Sequence, residues 1–345
     1  MTMGHKEQAR PAALVSVIIV NFNGAAVIAQ CLRSVYDQPY RPMEVIVVDN
    51  ASSDGSAAMV ADAYPDVRLL INSSNLGFAT GNNQGVKAAK GEYVVLLNND
   101  TVVGRQWLMP LVDMLDRPGV AAVTSRVVTE NVPAALYERN GTINYLGYNI
   151  MREFSDLSEV FFAGGASLMF RREDVGIPFL DEYFLYHEDV FLSWKLRLLG
   201  KKVAMAQESV VHHRGSVSTR RQPPRVVTFF QERNRLLNAL LFYETRTLLL
   251  LLPYVLADGV AKVVLALVSG RKSLVGILRG YGWMLRHAGW IRHTRTALQN
   301  SRRVADHEVM KMMSCRVADS HSGPANALNR ISRGYARIVG LAFHE

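Results

Sequence analysis

The sequence predicts an α/β fold: a mostly parallel sheet with flanking helices, followed by a helical segment that is first apolar and then basic. Three observations predict it. Continuous apolar runs of strand length alternate with segments whose apolar residues recur at helical spacing. Polar residues gather just past the ends of those runs, where sheets of this kind bind ligands. The net charge of +9 sits wholly in the tail, because residues 269–345 hold 13 Lys/Arg and 4 Asp/Glu while residues 1–268 hold 26 of each.

The elements follow in order. VSVIIVNFNG opens a first strand; its apolar run, Leu14–Val20, is seven residues long and ends at Asn21, which is too short for a signal peptide. AAVIAQCLRSVYDQ has helical spacing, EVIVVDN is a second buried strand, and ASSDGS is a turn carrying helix-cap residues. SAAMVADAYP is a helix closed by Pro65, VRLLINS a third strand, GNNQGVKAAKG a helix ending at Gly91, and YVVLLNND a fourth strand. GRQWLMPLVDMLDRP then reads as a helix and VAAVTSRVV as a strand, and 130–160 is loop-rich. FFAGGASLMFRRE resumes strand character, FLYHEDVFLSWKLRLLG is a loop entering an amphipathic helix, and KVAMAQESVVHH is another strand. After TRRQPPR a single long helix is expected to run from QERNRLL through the apolar segment.

Composition excludes several classes. At 345 residues, with 49% hydrophobic and 20% charged residues, the chain can bury a large core. Cys31 and Cys315 lie far apart without CxxC spacing, which argues against a disulfide framework or a zinc site and fits a reducing compartment. The sequence pI of 9.6 could suggest a nucleic-acid binder, but the charge is confined to a tail without aromatic-interleaved RNA motifs. NLGFATGNNQG is glycine-rich, yet it is neither GxGxxG nor GxxxxGK[ST], so neither a dinucleotide site nor a P-loop is expected; it could still let backbone approach a nucleotide.

Three groups could carry chemistry. Asp100 ends a buried strand and is a hard oxygen ligand for a divalent ion, though an aspartate after a strand is also ordinary turn chemistry. Glu188 and Asp189 precede an amphipathic helix, where they could simply favour the helix dipole or could supply a general base. His212 and His213 end a strand and could offer an imidazole to a metal, or could be a surface pair.

The ordered motifs VSVIIVNFNG, EVIVVDNASSDGS, NLGFATGNNQG, YVVLLNND, FFAGGASLMFRRE, YHEDVFLSWKLRLLG and VVHHRGS resemble family 2 glycosyltransferases, and within them bacterial rhamnosyltransferases, over roughly residues 15–245. The resemblance implies a Rossmann-like GT-A fold, a dTDP- or UDP-sugar donor, Mg²⁺ or Mn²⁺, and direct displacement with inversion. Carried over, it implies Asp189 as general base with Glu188 supporting its loop, and Asp100 with His212 at the metal. It implies Asn23, Asp49, Asn75, Gly77, Asn82 and Asn99 at the nucleotide sugar. One departure matters: the usual D-x-D stands here as Asn98-Asn99-Asp100, leaving Asp100 as the main metal carboxylate. Arg233 and Asn234 resemble a recurring element near the domain's end; Arg233 could meet a phosphate or lipid headgroup, or lie on a basic helix face.

Thr247–Val268 is 22 residues long, near bilayer length, but Pro253, Asp258 and Lys262 interrupt it. Asp258 and Lys262 stand at i,i+4 and could pair. An interfacial or re-entrant anchor is therefore expected rather than a clean span, with Trp283, Trp290, Arg271, Lys272, Arg279 and Arg286 at headgroup level; a buried core helix is the soluble alternative. The expected organisation is an N-terminal tail over 1–13, a catalytic domain over 14–245, an apolar and basic helical region over 246–300, and a basic tail over 301–345 with a flexible break near 320–329. The resulting expectation is a sugar transferase at the cytoplasmic face of a bacterial-type inner or plasma membrane. Its acceptor would be a saccharide or a polyprenyl-linked saccharide, its surface partner an anionic membrane, and nucleic acid no partner. A catalytically silent sugar-nucleotide or glycan-binding module is the alternative.

Overall fold

The computed structural model describes residues 12–129, 141–150, 158–215, 222–269, 273–317, 323–341 and 343. Of the stretch 130–160, only 141–150 and 158–160 lie within them, and Arg271 and Lys272 lie outside.

Strand β1 (Val15–Asn21) forms because its β-branched residues can be buried on both faces at once. Val17 and Ile19 join one core and Ile18 the other, the two-residue period of a pleated strand. β1 lies between β2 (Met43–Asp49) and β4 (Tyr93–Asn98), parallel to both, and β3 (Arg68–Ile71) extends the parallel half beyond β2. Helices α1 (Ile28–Tyr36), α2 (Ser56–Ala63) and α3 (Gly77–Ala88) make the crossovers.

Beyond β4 the sheet is mixed. Short β5 (Thr101–Val103) and helix α4 (Leu108–Leu115) lead to β6 (Val120–Thr129), β7 (Ser167–Arg171) and the short helix α5 (Arg172–Val175). Helix α6 (Glu188–Leu198) then precedes β8 (Lys202–His213). The eight-stranded order is β3-β2-β1-β4-β7-β6-β8-β5. β7 is antiparallel to both β4 and β6, and β5 is antiparallel to β8, so four of the seven pairings are parallel in the expected mostly parallel sheet and three are not. Two of those three belong to β7, and the third to β5, which pairs with β8 at the far edge rather than with β4.

The expected single long helix is two: α7 (Pro224–Phe242) and α8 (Thr245–Ser269). The break at Tyr243–Glu244 is held from outside. Gln299 donates to the carbonyls of Leu241 and Phe242 at 2.9 and 3.0 Å, Arg302 to Phe242, and Arg295 to Leu240 and, at 2.6 Å, to Tyr243. These side chains come from α10 (Ala288–Ser301) and its C-cap Arg302, and they satisfy carbonyls a helix end leaves open. Part of the basic tail is thus structural. Helices α9 (Leu274–Arg286), α11 (Asp306–Met310) and α12 (Gly323–Ile338) complete the chain. Within the basic tail, Val309, Met310, Met313, Cys315, Ala336 and Leu341 belong to the main core, and residues 323–329 of the expected break lie in α12.

Candidate active site

The strand order places the ends of β2, β1 and β4 side by side, and one hydrogen-bond chain ties them. Asn99 Nδ2 donates to Asn21 Oδ1 at 2.9 Å, and Asn21 Nδ2 donates to Asp49 Oδ2 at 2.8 Å. Asp49 also accepts Ser52 N–H at 2.8 Å and Ser52 Oγ–H at 2.7 Å. Its oxygens are thereby engaged inside the loop after β2, and the side chain is buried. A carboxylate at position 99 could not donate to Asn21, which gives the amide a local reason. A Cβ on Gly24 would lie 2.2 Å from Asn21 Oδ1 and 2.5 Å from Asn99 Nδ2, so the loop after β1 passes directly over this chain. Asn23 holds the same loop: at φ 53° it accepts Ser53 N–H at 2.8 Å and donates its own N–H to Ser52.

The glycine-rich run is helix. Asn75 Oδ1 accepts Gly77 N–H at 2.9 Å at the start of α3, and Gly77 (φ 83°) lies where a Cβ would come within 2.5 Å of Phe184. Glycine there admits the loop before α6, not bare backbone to a ligand. Asn82 is 1% exposed and donates to Phe78 O at 2.9 Å, while its Oδ1 has no partner among the described residues.

Asp100, 5% exposed, ends the fourth strand's run, and His213 Nε2 lies 3.0 Å from its Oδ1. Asn98 Nδ2 is 3.4 Å from the same imidazole nitrogen. His212 does not join them. Neighbouring residues of a strand point to opposite faces, so only one of the doublet can meet Asp100, and His212 is exposed on the other side of β8. The imidazole beside Asp100 is therefore that of His213, whereas motif spacing pointed to His212. Among the described residues, no group of three or more His, Cys, Asp and Glu converges. A carboxylate oxygen, an imidazole nitrogen and a nearby amide suit a divalent ion that takes its remaining ligands from donor phosphates and water.

Asp189 reaches the same sheet end through the loop before β7. Its Oδ2 accepts Gly165 N–H at 3.1 Å, and the next carbonyl, that of Ala166, accepts Asn98 N–H at 3.2 Å. Oδ1 accepts Val190 N–H at 2.7 Å. Burial pushes the Asp189 carboxyl above the ordinary aspartate value. Glu188 differs: 6% exposed, its Oε2 has no partner among the described residues, and burial together with the neighbouring Asp189 charge pushes it up to about 8. Burial raises both adjacent carboxyls, and the charge of its neighbour raises Glu188 further, so Glu188 keeps its proton near neutrality.

Among the described residues, Glu188 Oε2 meets no partner through which it would tie the loop. Side chains of α7 tie it. Phe184, Tyr186 and His187 all have positive φ, 57°, 70° and 62°, a strained stretch immediately before the acidic pair. Asn234 Nδ2 donates to the carbonyls of Tyr183, Leu185 and Tyr186 at 2.9, 2.9 and 2.7 Å, and Asn238 Nδ2 to that of His187 at 3.1 Å. Arg233 donates to the Glu182 and Tyr183 carbonyls and through Nε to Asn234 Oδ1 at 2.8 Å. It is buried, with its guanidinium 4.9 Å from the Phe229 and Phe230 rings and 4.6 Å from Trp283, so it is neither a solvated basic face nor open to a phosphate. The sequence reading singled out Asn234 without this role and missed Asn238; their signal is a polar pair at i,i+4 on one helix face.

Residues 16–176 match the family described as glycosyl transferase family 2. The match covers the parallel half of the sheet through β7, and several relatives similar over this region are named as glycosyltransferases. Glycosyltransferase AglE of Haloferax volcanii is 32% identical over 175 residues, covering 48% of this chain and 55% of that protein. The N-acetylglucosaminyl-diphospho-decaprenol L-rhamnosyltransferase of Mycobacterium tuberculosis is 27% identical over 243 residues, covering 60% of this chain and 78% of that one. The chain spans about half the length of several relatives, including 47% of the poly-β-1,6-N-acetyl-D-glucosamine synthase of Staphylococcus epidermidis. Among solved structures, GalNAc-T7 with UDP, GalNAc and Mn²⁺ aligns at a TM-score of 0.54 and 16% identity, over 68% of this chain and 49% of that one, a likeness of fold.

Proposed function

We propose that the protein transfers a sugar, rhamnose in the favoured reading, from a dTDP- or UDP-sugar to a hydroxyl of a lipid-linked saccharide during cell-surface polysaccharide synthesis, with inversion. The observation that carries this reading is the meeting of Asp100–His213 and Asp189 at one sheet end, joined by the Gly165–Ala166 backbone. Asp189 takes the proton of the acceptor hydroxyl as its oxygen attacks the anomeric carbon, and the raised proton affinity of its buried carboxylate suits that task. Glu188, uncharged beside it, leaves a single negative charge there. The Asn99–Asn21–Asp49 chain and the Asn23 turn form the wall against which the nucleotide sits, with Asn82 below. A divalent ion, Mg²⁺ or Mn²⁺, would be held by Asp100 and His213 and would neutralise charge on the departing diphosphate. The Mn²⁺ and UDP of GalNAc-T7 and the rhamnosyl activity in the name of the Mycobacterium tuberculosis relative support the metal and the sugar. The exposed apolar helix supports a membrane-borne acceptor.

A silent binding module is the second reading, favoured by Asn98 in place of a first carboxylate. Incubation with dTDP- and UDP-sugars, Mn²⁺ and a membrane extract separates the two, since absence of nucleotide release from every donor refutes catalysis. Asp189→Asn should lower turnover by about 10²- to 10⁴-fold while leaving donor affinity nearly unchanged. Equal loss of both would refute its role as base.

A further inference from the structure

We propose that α8, α9 and α12 form a one-sided lipid-binding face, with α8 lying along the bilayer surface rather than crossing it. The surface extends the membrane association proposed above beyond the apolar segment, to the end of the chain. It does not depend on the sugar or the metal.

Helix α8 is inside out past its first turn. Asp258 and Lys262 face the protein: Lys262 pairs with Asp258 at 2.6 Å and with Glu232, and Arg235 pairs with Asp258 at 3.0 Å and Glu232 at 3.2 Å. Arg235 and Lys262 also lie 4.3 and 5.0 Å from the Tyr148 ring. The outward row is Leu249, Leu252, Leu256, Val260, Val264 and Leu267, spaced three or four residues apart and each at least 47% exposed. A helix facing water carries the opposite pattern. A neutral buried quartet adds little stability over an apolar contact, but it fixes which way the helix faces.

Helix α12 repeats the inversion. Ala325, Asn329, Ser332 and Ala336 face inward, while Leu328, Ile331 and Ile338 are 52%, 69% and 85% exposed beside exposed Arg330 and Arg337. The two helices lie side by side: Tyr335 donates to Leu250 O at 2.8 Å, Tyr254 to Ser332 O at 2.7 Å, and the two rings meet edge to face. Helix α9 adds exposed Val275, Leu278 and Leu285, and meets α8 where Tyr281 approaches Gly259.

Seating decides between lying and crossing. Thr247, Leu251 and Lys262 are buried against the rest of the protein, so α8 is attached over more than four turns. A helix attached along that length cannot enter a hydrocarbon core about 30 Å thick without carrying the sheet domain with it. Lipid is the occupant that fits: apolar rows flanked by arginine, in a region with 13 basic and 4 acidic residues, suit an anionic surface.

The test uses the full chain and flotation with phosphatidylcholine vesicles, with and without phosphatidylglycerol. Flotation should be strong with the anionic lipid, and Ile331→Asn with Ile338→Asn should weaken it at least ~10-fold while leaving thermal unfolding in detergent unchanged. Wild-type flotation by that variant would overturn the inference. So would a full chain that ignores both vesicles, or one whose face is hidden in a soluble dimer. Bimane placed singly at Leu249→Cys, Leu256→Cys and Val264→Cys reads the orientation, the native cysteines being buried. Equal quenching by nitroxides high in the acyl chain is expected. Deeper burial of position 256 than of the other two would establish a span and overturn the in-plane arrangement. Loss of flotation with donor turnover intact would refute this face alone, and the converse would refute only the catalytic reading.

Discussion

Replacing Glu188 by glutamine should stabilise the protein, by an amount that grows with pH. The folded chain holds this carboxyl near 8, against an ordinary value of 4.5, because it is 6% exposed, lies beside Asp189, and has an oxygen without a partner among the described residues. Below pH 4.5 both folded and unfolded chains keep the proton, and no stability is lost on this account. As pH rises towards 8, the unfolded chain releases a proton that the folded chain retains, so stability falls; above 8 the loss is complete. At neutral pH the cost is about 3 kcal/mol, and glutamine, of similar shape and uncharged, removes it. In a chain this long each kcal/mol moves the melting temperature by roughly 1 to 2 °C. Thermal melts of Glu188→Gln and the parent from about pH 5 to about pH 8.5 should therefore diverge by several degrees. The unpaired glutamine amide adds an offset independent of pH, so the slope is the diagnostic. A difference that stays constant across this range would refute the assignment of Glu188 as a buried, protonated carboxyl.

Three further outcomes follow from the same geometry. Because burial raises Asp189, activity should be lost as pH falls through a value above the ordinary aspartate range of about 3.9, giving an acid limb in kcat/KM; a limb at or below that value would contradict a buried base. His213→Ala should weaken Mn²⁺ binding by at least about tenfold, as loss of even an outer-shell partner often does, while His212→Ala should leave it unchanged; the reverse in titration calorimetry would refute the placement of His213 at Asp100. Asn234→Leu removes the donor to three carbonyls of the strained 183–186 stretch and should cost about 1–3 kcal/mol of stability. Turnover should fall more than affinity for Mn²⁺ and nucleotide, and equal effects on both would argue against a role in positioning Asp189.

Local chemistry determined much of this protein without tertiary information. Apolar runs such as Val15–Asn21 and Met43–Asp49 can satisfy their pattern only as buried strands, and their polar ends marked the edge where Asp49, Asn99 and Asp100 gather. The pairing of Asp258 with Lys262 was legible from their i,i+4 spacing; its inward direction was not. Tertiary structure decided what depends on direction and partners. Spacing alone could not say which imidazole of the doublet faces Asp100, because that follows from the register of β8 against β5. Nor could it reveal that Arg295, Gln299 and Arg302 end α7, or that Asn234 holds the loop before Asp189, since each contact joins residues 48 or more positions apart. Periodicity records which residues prefer burial; the partners they are buried against are set only when distant segments pack.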